Sequence, residues 1–440
     1  MINQKYTMRI LSFFLFAFFL FSCCSIACFA KDNIPSAEGV DAVYVMNLEY
    51  GQVVYSFGED KPVYPASTAK LVTALVAERA FSQNLSKQIE ITEEMKSAFA
   101  GRCMGLSIGE KISVEALLHA MLIGGYNDAS IALAFATAGN LKDFCAQMNE
   151  YVTTLGARHT FYTNPTGLHD VNMVTTARDT AYIAMEIMEN QTLYDMTKKP
   201  KFLMPATNKS EAWTIYSRNS LISSIIEEGY YYSYADGIHA GSTDEGGDCV
   251  VTSGNLDGLS YVCVVLGGRS RNGTNQAFIT ASNTLRYALK NFSVKTLKTK
   301  KTQITTLPVL YSATVTEASV YPYEDLSALV ETSFDISKDV IFETALSYNE
   351  LHAPFKSGTV VGHLLAKDKN GKLLAKTELI VTENVESHGF LVFMAKLKRF
   401  VLSPFFLVLL LLIIVLIWWS IYSGKRGQRR RSVRRRYYHR

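Results

Sequence analysis

Apolar and polar positions follow different periods along the 440-residue chain. Residues 42–55 form two short β-rich runs around Glu49-Tyr50-Gly51, which predicts a hairpin. Pro65-Ala66-Ser67 then opens a helical period whose apolar face is Leu71, Val72, Ala74, Leu75 and Val76. Further helices are expected over 114–122, 129–138, 141–155 and 176–188. From Ile238 the period returns to strands, with residues 250–252 and 261–266 bracketing a polar stretch, 254–258, that reads as a turn. A helix over 275–289 closes this part. Strands, many helices, then strands and a final helix predict an α+β unit, a mixed sheet covered by a helical subdomain.

Composition changes near residues 291–302, where Lys295, Lys298, Lys300 and Lys301 mark an exposed connection. Short alternating segments follow, with a hairpin signal at Lys369-Asn370-Gly371-Lys372 and no long helical period before Glu386, so a small all-β domain is expected.

Both ends read as targeting segments. Lys5 and Arg9 precede an apolar run over 10–21, and Cys28-Phe29-Ala30 offers small residues for cleavage after Ala30, the pattern of a secretory signal peptide. A lipoprotein site at Cys23 is the weaker reading because Phe21 is bulky for it. Near the other end, residues 400–422 are apolar and nearly uncharged, with Trp418 and Trp419 close to the boundary, as a membrane-spanning helix requires. The expected organisation is a signal peptide at 1–30, a first domain at 31–292 and a β-domain at 293–386. A juxtamembrane linker at 387–399, a spanning helix at 400–422 and a basic tail at 423–440 complete it.

Charge sharpens this division. The chain has Lys+Arg 44 against Asp+Glu 40, a net of +4. Nine of the basic residues lie in the last sixteen positions and two in the leader, leaving 33 basic against 40 acidic residues between. The body is therefore acidic, which argues against nucleic acid as a partner; the basic tail reads instead as a topology determinant that keeps the C-terminus cytoplasmic and the ectodomain outside. Beyond the leader only Cys103, Cys145, Cys249 and Cys263 remain, too few for a disulfide framework and without metal-ligand spacing. Cys249 and Cys263 lie on neighbouring apolar runs and either pair across a hairpin or stay buried as thiols.

The candidate chemistry is Ser67-Thr68-Ala69-Lys70, the one place where a Ser precedes a Lys by three residues. On a helix these positions share a face, so the amine reaches the hydroxyl. A serine needs an adjacent base to act as a nucleophile, and a lysine serves once burial lowers its pKa. Ser-x-x-Lys alone is a weak signal, an N-cap serine beside a surface lysine being the bland alternative, but Lys70 runs straight into an apolar helix.

Pro-Ala-Ser-Thr-Ala-Lys-Leu-Val-Thr-Ala-Leu resembles the active-site helix of the low-molecular-mass penicillin-binding proteins, the serine D-alanyl-D-alanine carboxypeptidases. Gly105 to Glu110, Asn127-Asp128-Ala129, Asn164-Pro165-Thr166-Gly167-Leu168, Thr176-Ala177-Arg178-Asp179 and Asp236-Gly237-Ile238 are similar to further stretches of that family. Gly358, Val361-Gly362 and the Asn370-Gly371 turn are similar to its C-terminal domain. The resemblance implies the serine β-lactamase/penicillin-binding-protein fold, no metal or organic cofactor, and peptidoglycan stem peptides and β-lactams as partners. It implies Ser67 as nucleophile, Lys70 as base, Asn127 as a ligand of the substrate amide and of Lys70, and the Ser67 and Ser242 N–H groups as an oxyanion hole.

Two of the family's three motifs depart from its pattern. Gly125-Tyr126-Asn127 stands where Ser-Gly-Asn is expected, and His239-Ala240-Gly241, followed by Ser242, where Lys-Thr-Gly is expected, so the resemblance implies His239, Ala240, Gly241 and Ser242 as the substrate-binding residues. The first change removes a serine hydroxyl; the second removes a cation and a hydroxyl for the substrate carboxylate. Some members of the wider superfamily carry His at the lysine position, yet histidine is largely neutral at pH 7. Each lost hydrogen bond to a charged group costs about 1.5–3 kcal/mol, and about 1.4 kcal/mol is tenfold in rate. A catalytically impaired wall-binding or scaffold protein is thus the rival to an active enzyme, and a β-lactamase is less favoured for want of a deacylating Glu motif. Ser253-Gly254-Asn255 spells the missing second motif but reads as a hairpin turn. His119, His169, Asp236 and Arg178 read as structural. Arg269 and Arg271 read as surface residues, with replacement of the carboxylate anchor as the alternative.

Overall fold

The computed structural model describes residues 34–271 and 273–436, with side chains to residue 423 except that of Arg271, whose expected role therefore lies outside what is described. The expected leader and the side chains of the basic tail lie outside the described residues. The chain divides into two compact units between Phe292 and Ser293.

In the first unit, strands β1 (Ala42–Asn47) and β2 (Gln52–Phe57) form the expected hairpin. A 3-10 turn at Ala66–Thr68 feeds α1 (Ala69–Phe81), followed by α2 (Val114–Gly124), α3 (Asn127–Ala138), α4 (Leu141–Thr154) and α5 (Ala177–Glu189). Strands β3 (Ala235–Thr243), β4 (Gly247–Leu256) and β5 (Leu259–Gly268) precede the last helix, α6 (Gln276–Asn291). Helix starts follow side-chain caps: the Thr176 hydroxyl accepts from the Asp179 N–H, and the Asn275 side chain accepts from Ala277 and Phe278.

The five strands lie in the order β2-β1-β5-β4-β3, each pair antiparallel. The α+β architecture is as expected. The sheet, expected to be mixed, is antiparallel because tight turns join β1 to β2 and β3 through β5. Tyr261, Cys263 and Val265 face the layer containing α6, whereas Val262, Val264 and Leu266 face the helical subdomain. Coverage of both faces explains why this strand reads as an uninterrupted apolar run.

The turn expected over 254–258 is shorter than the sequence suggested. Strand β4 continues to Leu256, and only Asp257 (φ 53°) and Gly258 (φ 79°) turn the chain. Ser253 is therefore a buried strand residue, hydrogen-bonded to the Asp236 carbonyl and the Tyr194 hydroxyl. Gly254 belongs in the strand because a Cβ there would lie 2.6 Å from the Tyr234 carbonyl oxygen. Cys249 and Cys263 pack on opposite faces of the sheet and are free thiols. Their disulfide is thus excluded by topology, and burial pushes both thiols up to about 12.

In the second unit, a six-stranded sheet carries a core including Val320, Leu364, Leu379 and Val381. Its hairpin at Lys369–Lys372 is tied by Asp368, whose carboxylate accepts from the Asn370 and Lys372 N–H groups, and Gly371 takes φ 81°. The stretch expected as a linker, 387–399, carries a helix, α7 (Gly389–Val401). The next, α8 (Pro404–Arg436), begins after the Ser403 hydroxyl accepts from the Phe406 N–H. Pro404 lacks an N–H and suits a first helical position, so the apolar helix starts there rather than at Phe400. Pro404–Ser423, 20 residues of mean hydropathy 2.8, is long and apolar enough to cross a bilayer.

Alkylation of the unfolded chain should label Cys249 and Cys263 equally with and without prior reduction. A gain at both after reduction would contradict their separation by the sheet.

Candidate functional site

Ser67 lies in the turn that enters α1, directly after Ala66, whose φ of 46° is a left-handed conformation. Such strain costs about 1–3 kcal/mol and persists only where neighbours enforce it. Gly167 and Gly241 press on either side of this turn. A Cβ on Gly167 would overlap the Ala66 carbonyl, and one on Gly241 would overlap Ser67 Cβ and lie 2.7 Å from its Oγ. The glycine of the third motif therefore lets β3 pack directly against Ser67.

Lys70, the second residue of α1, is completely buried. Its Nζ donates to the Thr166 carbonyl at 2.6 Å and to Ser67 Oγ at 3.2 Å. The loop that presents this carbonyl is held by Asn164, whose Oδ1 accepts from the Thr166 N–H, the Thr166 hydroxyl and the Gly167 N–H. Thr73 adds a hydrogen bond from its hydroxyl to the Pro165 carbonyl at 2.7 Å. Burial, reinforced by the Arg102 charge, lowers the Lys70 pKa to about 7. A substantial neutral fraction is then present near pH 7, and a neutral amine 3.2 Å from a hydroxyl can take its proton.

The cleft above this pair is lined by Ser67, Asn127, Thr166, Gly167 and the β3 run Ala240 to Thr243. Asn127 is buried at the start of α3, and its Nδ2 donates to the Ala100 carbonyl at 2.8 Å rather than engaging Lys70 as expected. The neighbouring Asp128 fixes the facing loop: its carboxylate accepts from the Met104, Gly105 and Leu106 N–H groups.

His239 lies beneath the cleft and does not line it. Its Nδ1–H donates to the Leu122 carbonyl at 2.9 Å, while Nε2 is buried without a hydrogen-bond partner among the described residues. Burial, and then the Lys70 charge, push its pKa down to about 4, so it presents no cation to a substrate at neutral pH. Ala240 pairs with Val250 in the apolar layer that includes Val43 and Val45, and it also borders the cleft, where it offers no hydroxyl. Ser242 is at the exposed lip of the cleft. Tyr126 does not supply the missing serine hydroxyl, because its ring folds back against Gly124 below the Arg102 guanidinium.

The remaining candidates are structural in this fold. His119 stacks on Phe202 at 3.7 Å and bonds Lys199; exposed His169 packs edge-on against Tyr64. Arg178 pairs with Asp60, and Arg269 pairs with Asp41 at 3.6 Å, away from the cleft. Arg102 and Arg218, which sequence reasoning missed, line the cleft instead. They come from irregular segments that carry no period, and no signal in the sequence marks them. The loop 164–168 was visible as a family-like stretch, but its use of a main-chain carbonyl to hold Lys70 was not.

Gly241→Ala is expected to cut covalent modification of Ser67 by at least about a hundredfold, because displacement of a reacting hydroxyl by even 1 Å is costly. The measurement is the labelling rate beside the melting temperature; an unchanged rate would refute the role given to this contact.

Residues 32–270 match the D-alanyl-D-alanine carboxypeptidase family, and residues 292–387 match the C-terminal domain of penicillin-binding protein 5. Similar curated proteins include the D-alanyl-D-alanine carboxypeptidase DacF of Bacillus subtilis, 24% identical over 83% of this chain and 91% of that one. DacC of Escherichia coli is 27% identical over 82% and 88%. Among solved structures, DacD of Francisella tularensis superposes with a TM-score of 0.63 at 23% identity, covering 81% of this chain and 95% of that one. Penicillin binding protein 5 of Haemophilus influenzae gives 0.60 at 24% identity, covering 80% and 99%. A helix-borne serine with a buried lysine beside it, in a cleft walled by an antiparallel edge strand, is thus carried by a chain that belongs to the D-alanyl-D-alanine carboxypeptidase family.

Proposed function

We propose that the chain acts as an envelope-anchored serine D-alanyl-D-alanine carboxypeptidase, with Ser67 as nucleophile and Lys70 as general base. The observation that carries this reading is the Lys70 amine: fully buried, 3.2 Å from Ser67 Oγ, with a pKa of about 7. Ser67 Oγ attacks the carbonyl carbon of the penultimate D-Ala of a peptidoglycan stem peptide while its proton passes to Lys70 Nζ. The tetrahedral oxyanion is held by the Ser67 and Ser242 N–H groups. Collapse breaks the C–N bond, the leaving amine of D-Ala takes the proton, and water then releases the shortened peptide from Ser67. A β-lactam acylates Ser67 by the same attack on its strained amide, and the ester formed is the covalent label. The chemistry uses protein groups alone.

The apolar helix Pro404–Ser423 supports anchoring by one membrane span. The run of arginines beyond it favours a cytoplasmic tail and an ectodomain on the outer side. The rival, a scaffold without turnover, would not need a buried base held by a dedicated carbonyl.

A fluorescent penicillin is expected to label the chain at Ser67 and not the Ser67→Ala variant. A stem pentapeptide is expected to release D-Ala. No label and no D-Ala would overturn the enzyme reading. Because the neutral amine is the base, acylation should rise through about pH 7 as Lys70 loses its proton and level off above pH 8. Lys70→Arg, permanently charged, should lose at least about a hundredfold at every pH. A flat profile from pH 6 to 8 would count against Lys70 as the base.

A further inference from the structure

A second groove, of about 420 Å³, adjoins the cleft and has the size of a small-molecule site. The same two chain segments wall both. On one side, the loop that brings Arg102 to the cleft runs on through Met104, Leu106 and Ser107 into the groove. On the other, the segment that brings Arg218 to the cleft begins at Trp213, in a small hairpin that pairs Lys201–Met204 with Trp213–Tyr216. Tyr126, the residue after Gly125 of the cleft, meets the Trp213 ring edge-on with the centres 6.0 Å apart.

The groove is amphipathic. Met104, Met204 and Trp213 supply apolar surface, and Trp213, 36% exposed, is the one tryptophan outside the apolar C-terminal helix. Its polar groups are Ser107, Lys209 and Ser210, all exposed, and the buried carboxylate of Glu110. Glu110 accepts from the Ser107 N–H at 2.9 Å, the Thr207 hydroxyl at 2.8 Å and the Ser210 hydroxyl at 3.3 Å. With its proton given to Glu110, the Ser210 oxygen remains an acceptor for a ligand, and Lys209, which has no ion pair among the described residues, is a donor. The one acid and the one amine leave no net charge to select an ion. An indole ringed by donors and acceptors suits a pyranose, whose C–H faces are apolar and whose rim carries hydroxyls.

We infer that this groove binds a sugar of the glycan strand, the N-acetylhexosamine to which the stem peptide is attached. The inference rests on the carboxypeptidase reading for the substrate and assigns a site to the part of it that extends beyond the cleft. Four stem residues separate the carbonyl cut at Ser67 from the sugar, and extended they span about 14 Å. The five residues from Trp213 to Arg218 allow a separation of the same order between groove and cleft, at most about 18 Å. A sugar held so far from the reacting carbonyl is bound equally before and during acyl transfer, so it lowers KM and leaves kcat alone. The chain would thereby favour peptide on assembled glycan over free peptide.

The test uses the full chain in detergent and two substrates, a stem pentapeptide and the same peptide on its N-acetylglucosaminyl-N-acetylmuramyl disaccharide. D-Ala release from the disaccharide form is expected at a KM about tenfold lower with kcat unchanged, the worth of one stacking contact and one neutral hydrogen bond. On the Ser67→Ala chain, calorimetry should give the same ratio in Kd. Trp213→Ala should remove the advantage while leaving the free pentapeptide within about twofold, and Trp213→Tyr should keep part of it. Lys209→Phe, on the exposed turn of the hairpin, should also remove it by filling the groove without touching Trp213. Equal affinity of the parent for both substrates, an advantage that survives Trp213→Ala and Lys209→Phe, or an equal loss on both substrates overturns the inference. No D-Ala from either substrate, with the Kd ratio and its dependence on Trp213 intact, overturns the carboxypeptidase reading and leaves the sugar site standing.

Discussion

An amine enclosed by packed apolar side chains must find polar partners or surrender its proton, because a bare ammonium cannot be carried out of water at acceptable cost. Lys70 does some of both. It has one short hydrogen bond, to a main-chain oxygen, one longer contact, to the hydroxyl it would deprotonate, and a pKa near 7. The surrounding architecture follows from that requirement. Helix α1 is buried from Ala69 to Ala77, which excludes water and explains why Leu71, Val72, Ala74, Leu75, Val76 and Ala77 are all buried rather than forming one stripe. The loop 164–168 must bring a carbonyl to the amine, and Asn164 organises the turn that does so.

Three further segments converge on the same turn with little slack. Gly167 and Gly241 bring two backbones against Ala66 and Ser67, and Asp128 ties the loop through Leu106 to the start of α3. Because β3 is an edge strand, one of its sides is free to form a wall of the cleft while the other is paired to β4. Adding one methyl at Gly241 strains this junction, because a Cβ there would overlap the Ser67 side chain.

Much of this was legible in the sequence. Ser67 and Lys70 announce themselves by spacing and by the apolar run after them, and helical periods located α1 through α6 within a few residues. Errors arose where local chemistry outweighed period. Gly254 and Asn255 look like turn residues, yet Gly254 is a strand glycine forced by the approach of the Tyr234 carbonyl, and Asp257-Gly258 makes the turn. The apolar run from Phe400 hid a helix break that the Ser403-Pro404 pair produces. The functional weight expected at His239 fell away because the sheet directs its ring inward to Leu122, a matter of register that single-sequence reading does not resolve. Arg102 and Arg218 were invisible because loops without a period place them.

The partner of Lys70 is a peptide oxygen rather than a side chain. No exchange of the amino acid at position 166 deletes that atom, so the amine is shielded from the commonest kind of genetic damage. What such exchanges alter is the curvature of the backbone that offers the oxygen, through the Thr166 hydroxyl that bonds Asn164. Vulnerability is thereby displaced onto Asn164, a residue that neither lines the cleft nor touches Lys70. Natural variants that tune the basicity of this amine would then arise among residues remote from any contact with the peptide being cut.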